Sequence, residues 1–176
     1  MKKLLLFGIL VTLLNACARD IKKEQNQNTP RYKMSEVAYD QEKNLFTLKN
    51  EGKALTGIIY REWENGKIKE EFEIKNGKQE GFSKGWYENG HLEFEGSMKD
   101  NKQEGITKKY YENGQLSYDG MYKEGKEDGV CKGWYENGQL WFKKNAKDGN
   151  PVGVQKKWHE NGQLKWEGKF GELTSQ

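Results

Sequence analysis

The chain is poor in the residues that usually carry covalent or metal chemistry. It has two cysteines, Cys17 and Cys131, and two histidines, His91 and His159. If Cys17 is modified, Cys131 stands alone and no intramolecular disulfide forms. There are only two prolines, and the mean hydropathy is −1.10. An excess of one charge is also lacking, with 30 basic side chains against 27 acidic. Removing residues 1–16 takes away Lys2 and Lys3 and no acid, which leaves 28 against 27. Without a net basic field to recruit phosphates, nucleic acid is excluded as the main partner. The one long apolar run, Leu4 to Leu14, has eleven residues. That is too few for a helix to span a hydrocarbon core of roughly 30 Å. No window has helical periodicity.

The apolar run follows Met1-Lys2-Lys3 and precedes Leu14-Asn15-Ala16-Cys17. A basic start, a short apolar region and small residues before a cleavage point make a secretory signal over residues 1–16. The last four residues resemble a bacterial lipobox, in which the cysteine is acylated and becomes the mature N-terminus. Cys17 is thus the expected lipidation site, and several acyl chains there would form a stable anchor. The location expected is the cell envelope. Ala18-Arg19 lacks the Asp beside Cys17 that resembles an inner-membrane retention signal, so the outer membrane is favoured if the cell has one. Residues 17–30 read as a polar, lipid-anchored tether.

Aromatics are abundant: six Trp, nine Tyr and seven Phe. They recur in register. Glu-Asn-Gly occurs at 64–66, 88–90, 112–114, 136–138 and 160–162, always 24 residues apart. A second glycine column (Gly57, Gly81, Gly105, Gly129, Gly153) and an apolar column (Ile68, Leu92, Leu116, Leu140, Leu164) keep the same interval. Internal periodicity of this length signifies a repeat architecture. Asn-Gly between alternating apolar residues is a hairpin signal, and a type I′ turn needs positive φ at both central positions. The polar stretches between hairpins, such as Lys99 to Glu104, read as reversals that end at the second glycine column. The fold expected is all-β, an elongated single-layer antiparallel array of 24-residue β-hairpin repeats. At about 4.8 Å per strand, five hairpins would extend roughly 50 Å. Residues 31–56 form an N-terminal cap or partial repeat. The array occupies 57–176, with units near 57–80, 81–104, 105–128, 129–152 and 153–176.

The repeating unit, typified by Gly-Trp-Tyr-Glu-Asn-Gly-Gln-Leu at 133–140, resembles the bacterial variant of the MORN repeat. The resemblance covers about residues 50–173. The first unit departs from it, with Glu62 in the slot of Trp86 and Glu70 in that of Phe94. The last has His159 where others have Tyr87, Tyr111 and Tyr135. Terminal repeats diverge because they cap an array. The resemblance implies, as an alternative to the interaction scaffold suggested by the surface described below, the antitoxin component of a toxin–antitoxin module.

Catalysis finds little support. His91 and His159 occupy different repeat slots, so no His-dependent triad or metal site is evident. The glutamates of successive turns would lie about 10 Å apart, too far for a retaining carboxylate pair. Gly120 to Lys126 matches part of a phosphate-binding loop, but Glu127 replaces the Ser or Thr that would ligand magnesium. The chain is therefore expected to be a binding protein and not an enzyme, with no cofactor and no metal. Strand alternation places Trp86, Tyr110, Trp134 and Trp158, with Lys84, Lys108, Lys132 and Lys156, on one face. Phe94, Tyr118, Phe142 and Trp166 are expected to join them there, and the Tyr87 column to lie on the other face. Such a surface suits a protein partner, with glycans or anionic headgroups as a more distant choice. Alternatively, sheet twist folds these aromatics together as a core with the lysines at its rim.

Overall fold

The computed structural model describes residues 29–171. The signal peptide, the Cys17 lipidation site and tether residues 17–28 lie outside the described residues, as do 172–176. From Tyr32 onward the described chain is one compact unit.

A short N-terminal segment comprises β1 (Arg31–Lys33), a 3-10 turn at Met34–Glu36, β2 (Val37–Asp40) and β3 (Leu45–Leu48). Ten longer strands and one short one follow. These are β4 (Gly57–Glu62), β5 (Ile68–Lys75), β6 (Lys78–Trp86), β7 (Leu92–Lys99), β8 (Lys102–Gln103), β9 (Gly105–Tyr110), β10 (Leu116–Lys123), β11 (Lys126–Trp134), β12 (Leu140–Lys147), β13 (Asn150–Trp158) and β14 (Leu164–Phe170). They form one sheet in the order β1-β4-β5-β6-β7-β9-β10-β11-β12-β13-β14, with β8 paired to β7. Consecutive strands from β4 onward pair antiparallel, while β2 and β3 form a separate hairpin.

The two kinds of turn have exchanged the geometries expected of them. At the Glu-Asn-Gly turn of the second unit, Gly90 N–H donates to the Tyr87 carbonyl and Tyr87 N–H to the His91 carbonyl, each at 2.9 Å. Gly90 adopts a φ of +94°, but Asn89 stays out of the positive region. This is the three-residue loop in which a type I turn passes into a left-handed glycine. Asn89 serves through its side chain, whose Oδ1 accepts the His91 N–H at 2.8 Å. The other four units repeat that bond. Type I′ geometry falls instead between hairpins, at Asn76-Gly77, Asp100-Asn101, Glu124-Gly125 and Asp148-Gly149, where both central residues have positive φ. The glycine column from Gly57 to Gly153 therefore does not end a reversal. Its members have positive φ within strands, and around Gly81 the register jumps between Phe72↔Ser83 and Ile74↔Gln79.

A second register shift decides which side chains share a face. Gly85 pairs with Phe94, but the next pair is Trp86 with Leu92, so Glu93 is an extra residue. Shifts at the same place occur in the first, third, fourth and fifth units. Beyond such a bulge the period-2 pattern slips by one residue. Trp86 and Leu92 thus share a face as expected, whereas Phe94, Gly96 and Met98 lie on the opposite one.

The best-packed region is at the N-terminal end. Val37, Leu55, Ile59, Phe72 and Ile74 are buried together, with Tyr32, Met34, Phe46 and Leu48 against them. Phe46 meets Phe72 with ring centroids 5.6 Å apart. The β2–β3 hairpin thus covers the first unit on the Phe72 side. The departures in that unit are ionic: Lys33 pairs with Glu62 at 2.6 Å and Arg61 with Glu70 at 2.7 Å.

Candidate interaction faces

Cross-strand partners in an antiparallel ladder point to the same side, so the registers sort the candidate residues into two faces. Lys84, Lys108, Lys132 and Lys156 share one with Trp86, Tyr110, Trp134 and Trp158. Phe94, Tyr118, Phe142 and Trp166 lie on the other, because their partners are Gly85, Lys109, Gly133 and Lys157. The single surface expected from the sequence is therefore two surfaces. The cause is the bulged residue after each Glu-Asn-Gly turn.

The lysine face has three rows. Nearest the Glu-Asn-Gly turns, the Trp and Tyr column alternates with Leu92, Leu116, Leu140 and Leu164. Trp86, Tyr110, Trp134 and Trp158 are all half-buried. The middle row is a charge ladder running Glu71↔Lys84↔Glu95↔Lys108↔Asp119↔Lys132 across neighbouring strands. Nearest the type I′ turns is an apolar row that includes Ile106, Met121, Val130 and Val154, exposed by 53%, 40%, 47% and 47%. Tyr110 donates to Glu95 at 2.9 Å, linking the first two rows. Burial, followed by that hydrogen bond, raises the Tyr110 phenol to about 12.

The opposite, glycine face is the packed side of the repeats, with Thr107, Cys131, Ala146 and Gln155 all buried there. Each ring of its aromatic column rests on a glycine, by one of two routes. Phe94 and Phe142 lean across to Gly85 and Gly133 on the neighbouring strand. Tyr118 and Trp166 lean along their own strands onto Gly120 and Gly168. The choice follows from which slot is filled, and over Gly96 the filling group is the Thr107 hydroxyl. Lys109 and Lys157 occupy the cross-strand slot of Tyr118 and Trp166, while Lys144 occupies the same-strand slot of Phe142. In the third, fourth and fifth units the signal was present in the sequence as a Gly in one column wherever the other has Lys, at 109/120, 133/144 and 157/168, while the second unit has Gly in both, at 85 and 96.

A polar network lies on this face around buried Cys131. Tyr118 donates to Glu127 at 2.9 Å and lies 3.0 Å from the Tyr122 hydroxyl, and Lys144 pairs with Glu127 at 2.7 Å. Burial raises both the Tyr118 phenol and the Cys131 thiol, holding the thiol protonated and unreactive. Burial also pushes Glu127 upward, but hydrogen bonds from Lys144 and Tyr118 outweigh it and leave the carboxyl below its ordinary range.

The tyrosine column joins units together. Tyr87, Tyr111 and Tyr135 hydroxyls donate to the carbonyls of Tyr110, Trp134 and Trp158 at 2.7, 2.6 and 2.9 Å. In the first unit Trp63 Nε1 does the same to the Trp86 carbonyl at 3.0 Å. Each bond reaches 23 residues ahead, into the next unit. His159 holds this slot in the last unit, where no described strand follows to be reached.

The sequence pattern of the MORN repeat variant matches residues 55–76, 79–100, 103–124, 127–148 and 151–170. The chain belongs to the MORN repeat variant family. Each MORN segment starts two residues before a bulge glycine, and the first four end in a type I′ turn. One segment is thus a hairpin closed by Glu-Asn-Gly, and the type I′ turns join one MORN hairpin to the next. MORN repeats are generally associated with scaffolds for protein or membrane interaction. A search of curated proteins finds no matching sequence.

Proposed function

We propose that this MORN protein is a lipid-anchored envelope scaffold, not an enzyme, that holds a protein partner or envelope component against its lysine face. The observation that carries the reading is the exposed apolar row Ile106, Met121, Val130 and Val154, running beside a charge ladder and a half-buried Trp row. Apolar side chains gathered on one sheet face mark interaction surfaces, and aromatic anchors beside charged rims are what partners use. The glycine face is less suited over most of its length, since its rings lie on glycines and its N-terminal end is covered by the β2–β3 hairpin, and only at its last strand are Trp166 and Phe170 exposed, by 41% and 38%. The anchor rests on the sequence alone, on Leu14-Asn15-Ala16-Cys17 after a short apolar run. The same residues support an envelope location, with the outer membrane favoured if the cell has one.

The test is capture from native cell envelopes, read by mass spectrometry, with the full-length chain, a Cys17→Ser form and an Ile106→Glu/Val130→Glu double variant. The expected result is one protein enriched by the first two and lost from the folded double variant. Its identity would separate an envelope component from a toxin. Enrichment unchanged by the double variant would overturn the assignment of the face. No protein enriched by any form would turn the reading towards glycan or anionic headgroup binding.

A further inference from the structure

The charge ladder on the lysine face fails at one rung. Its acidic column reads Glu71, Glu95, Asp119 and Glu167, but Lys143 stands where the fourth unit should supply a carboxylate. The register pairs Lys143 with Lys132 on one side and Lys156 on the other. Three ammonium side chains therefore stand on three adjacent strands, about 5 Å apart at the backbone. Like charges directly opposite one another across strands are destabilising. Lys156 has some relief in an ion pair with Glu167 at 3.0 Å. Among the described residues no ion pair engages Lys132 or Lys143, and Lys143 is exposed.

A positive charge at Lys143 with a lysine on either side is a local cost that the rest of the ladder avoids, and local rules of this kind are broken chiefly at functional sites. The surroundings indicate the ligand. Val130 and Val154, beside these lysines on the same face, are exposed by 47% each. An isolated phosphate would leave these side chains in water. A chain that carries carboxylates among apolar residues covers them while its acids meet the lysines.

We propose that Lys132, Lys143 and Lys156 form the recognition site for an acidic polypeptide segment of the partner, in which carboxylates are interspersed with apolar side chains. This rests on the reading of the lysine face as the docking surface. Lys143 supplies the distinguishing charge, because Lys84 and Lys108 each have acids on both sides of the ladder.

The ladder makes the test unusual, since the informative substitution should also stabilise the fold. Lys143→Glu would set a carboxylate between two ammonium groups and complete the alternation. The full-length chain carrying Cys17→Ser is titrated with a fluorescein-labelled peptide of repeating Glu-Glu-Leu units, read by anisotropy. Vesicles of phosphatidylethanolamine with phosphatidylglycerol are titrated in parallel. The expected result is that Lys143→Glu weakens peptide binding at least tenfold while raising Tm by about 2–4 °C. Lys49→Glu, an equal charge change at an exposed lysine of the N-terminal segment, should alter binding less than twofold. No peptide binding by the parent chain, equal weakening by both variants, or a fall in Tm with Lys143→Glu would each overturn the proposal. So would vesicle binding that depends on Lys143 without peptide binding, which would assign the site to lipid headgroups. Envelope capture is scored separately. If Lys143→Glu retains the partner that Ile106→Glu/Val130→Glu loses, this site is wrong and the face remains right.

Discussion

At Gly133 the ring of Phe142 lies where a Cβ would stand, and the alternative slot for that ring is taken by Lys144. At Gly85 the ring of Phe94 is placed in the same way, and its alternative slot at Gly96 is filled by the buried Thr107 hydroxyl. A methyl group added at either glycine must displace a ring, and overpacking of this kind costs about 1–3 kcal/mol. Gly133→Ala and Gly85→Ala should therefore both fall within that range, as measured by urea denaturation. A loss below about 1 kcal/mol at either position would mean that its ring has another slot to enter. Tyr110 gives a pH prediction. Its phenol is held at about 12 against an ordinary 10.0, so above pH 10 the folded chain keeps a proton that the unfolded chain releases. Stability from this group is complete below pH 10 and declines as pH rises towards 12. Tyr110→Phe should make the fall in Tm across that window shallower. It should not abolish the fall, because burial also raises Tyr87, Tyr111 and Tyr118.

Hairpins are coupled through side chains that reach one unit ahead. The Tyr111 hydroxyl donates to the Trp134 carbonyl at 2.6 Å, and Tyr111→Phe leaves that carbonyl without this donor. The loss should be about 0.5–1.5 kcal/mol, seen as a lower midpoint in denaturation. His159→Tyr, at the same slot in the last unit, should be nearly neutral. A loss at His159 as large as that at Tyr111 would contradict the coupling role. Much at this scale was legible in the sequence. The 24-residue interval located every Glu-Asn-Gly turn and the strand pair that each one closes, because both depend on local turn chemistry and alternation. The faces were not legible, because Glu93, Ser117, Trp141 and Lys165 look like ordinary members of an alternating strand and are in fact bulged. The turn types were exchanged for a related reason. The Asn of Glu-Asn-Gly acts through its Oδ1, and nothing in the residue name separates that role from a positive φ. At Glu124, a residue with no preference for positive φ, the turn is fixed from outside by the Glu104 carboxylate, which accepts the Glu124 N–H at 2.9 Å.

From residue 55 to residue 170 the chain is a row of similar hairpins, in which each unit is stabilised by its neighbours. That arrangement leaves two unlike sheet faces. The glycine face is where aromatics, small residues and the Tyr118–Glu127–Lys144 network pack, and it holds the fold together. The lysine face keeps an apolar row in solvent beside a charge ladder that breaks only at Lys143, and it is free to bind. Composition alone had left open whether the aromatic columns were core or groove. The strand registers divide those columns between two faces: the rings of the glycine face pack as core, and the groove is what is proposed for the lysine face. The central claim is that partners dock on the lysine face. Its most direct test is site-specific photocrosslinking in intact cells, with a benzoyl-phenylalanine placed singly at Val130 or Val154 on the lysine face, or at Lys109 or Lys157 on the glycine face. All four positions are exposed, so access to solvent does not favour either set. Adducts of one common mass from Val130 and Val154, and none from Lys109 and Lys157, are the expected result. Adducts from the glycine-face positions alone, or equally from all four, would contradict it.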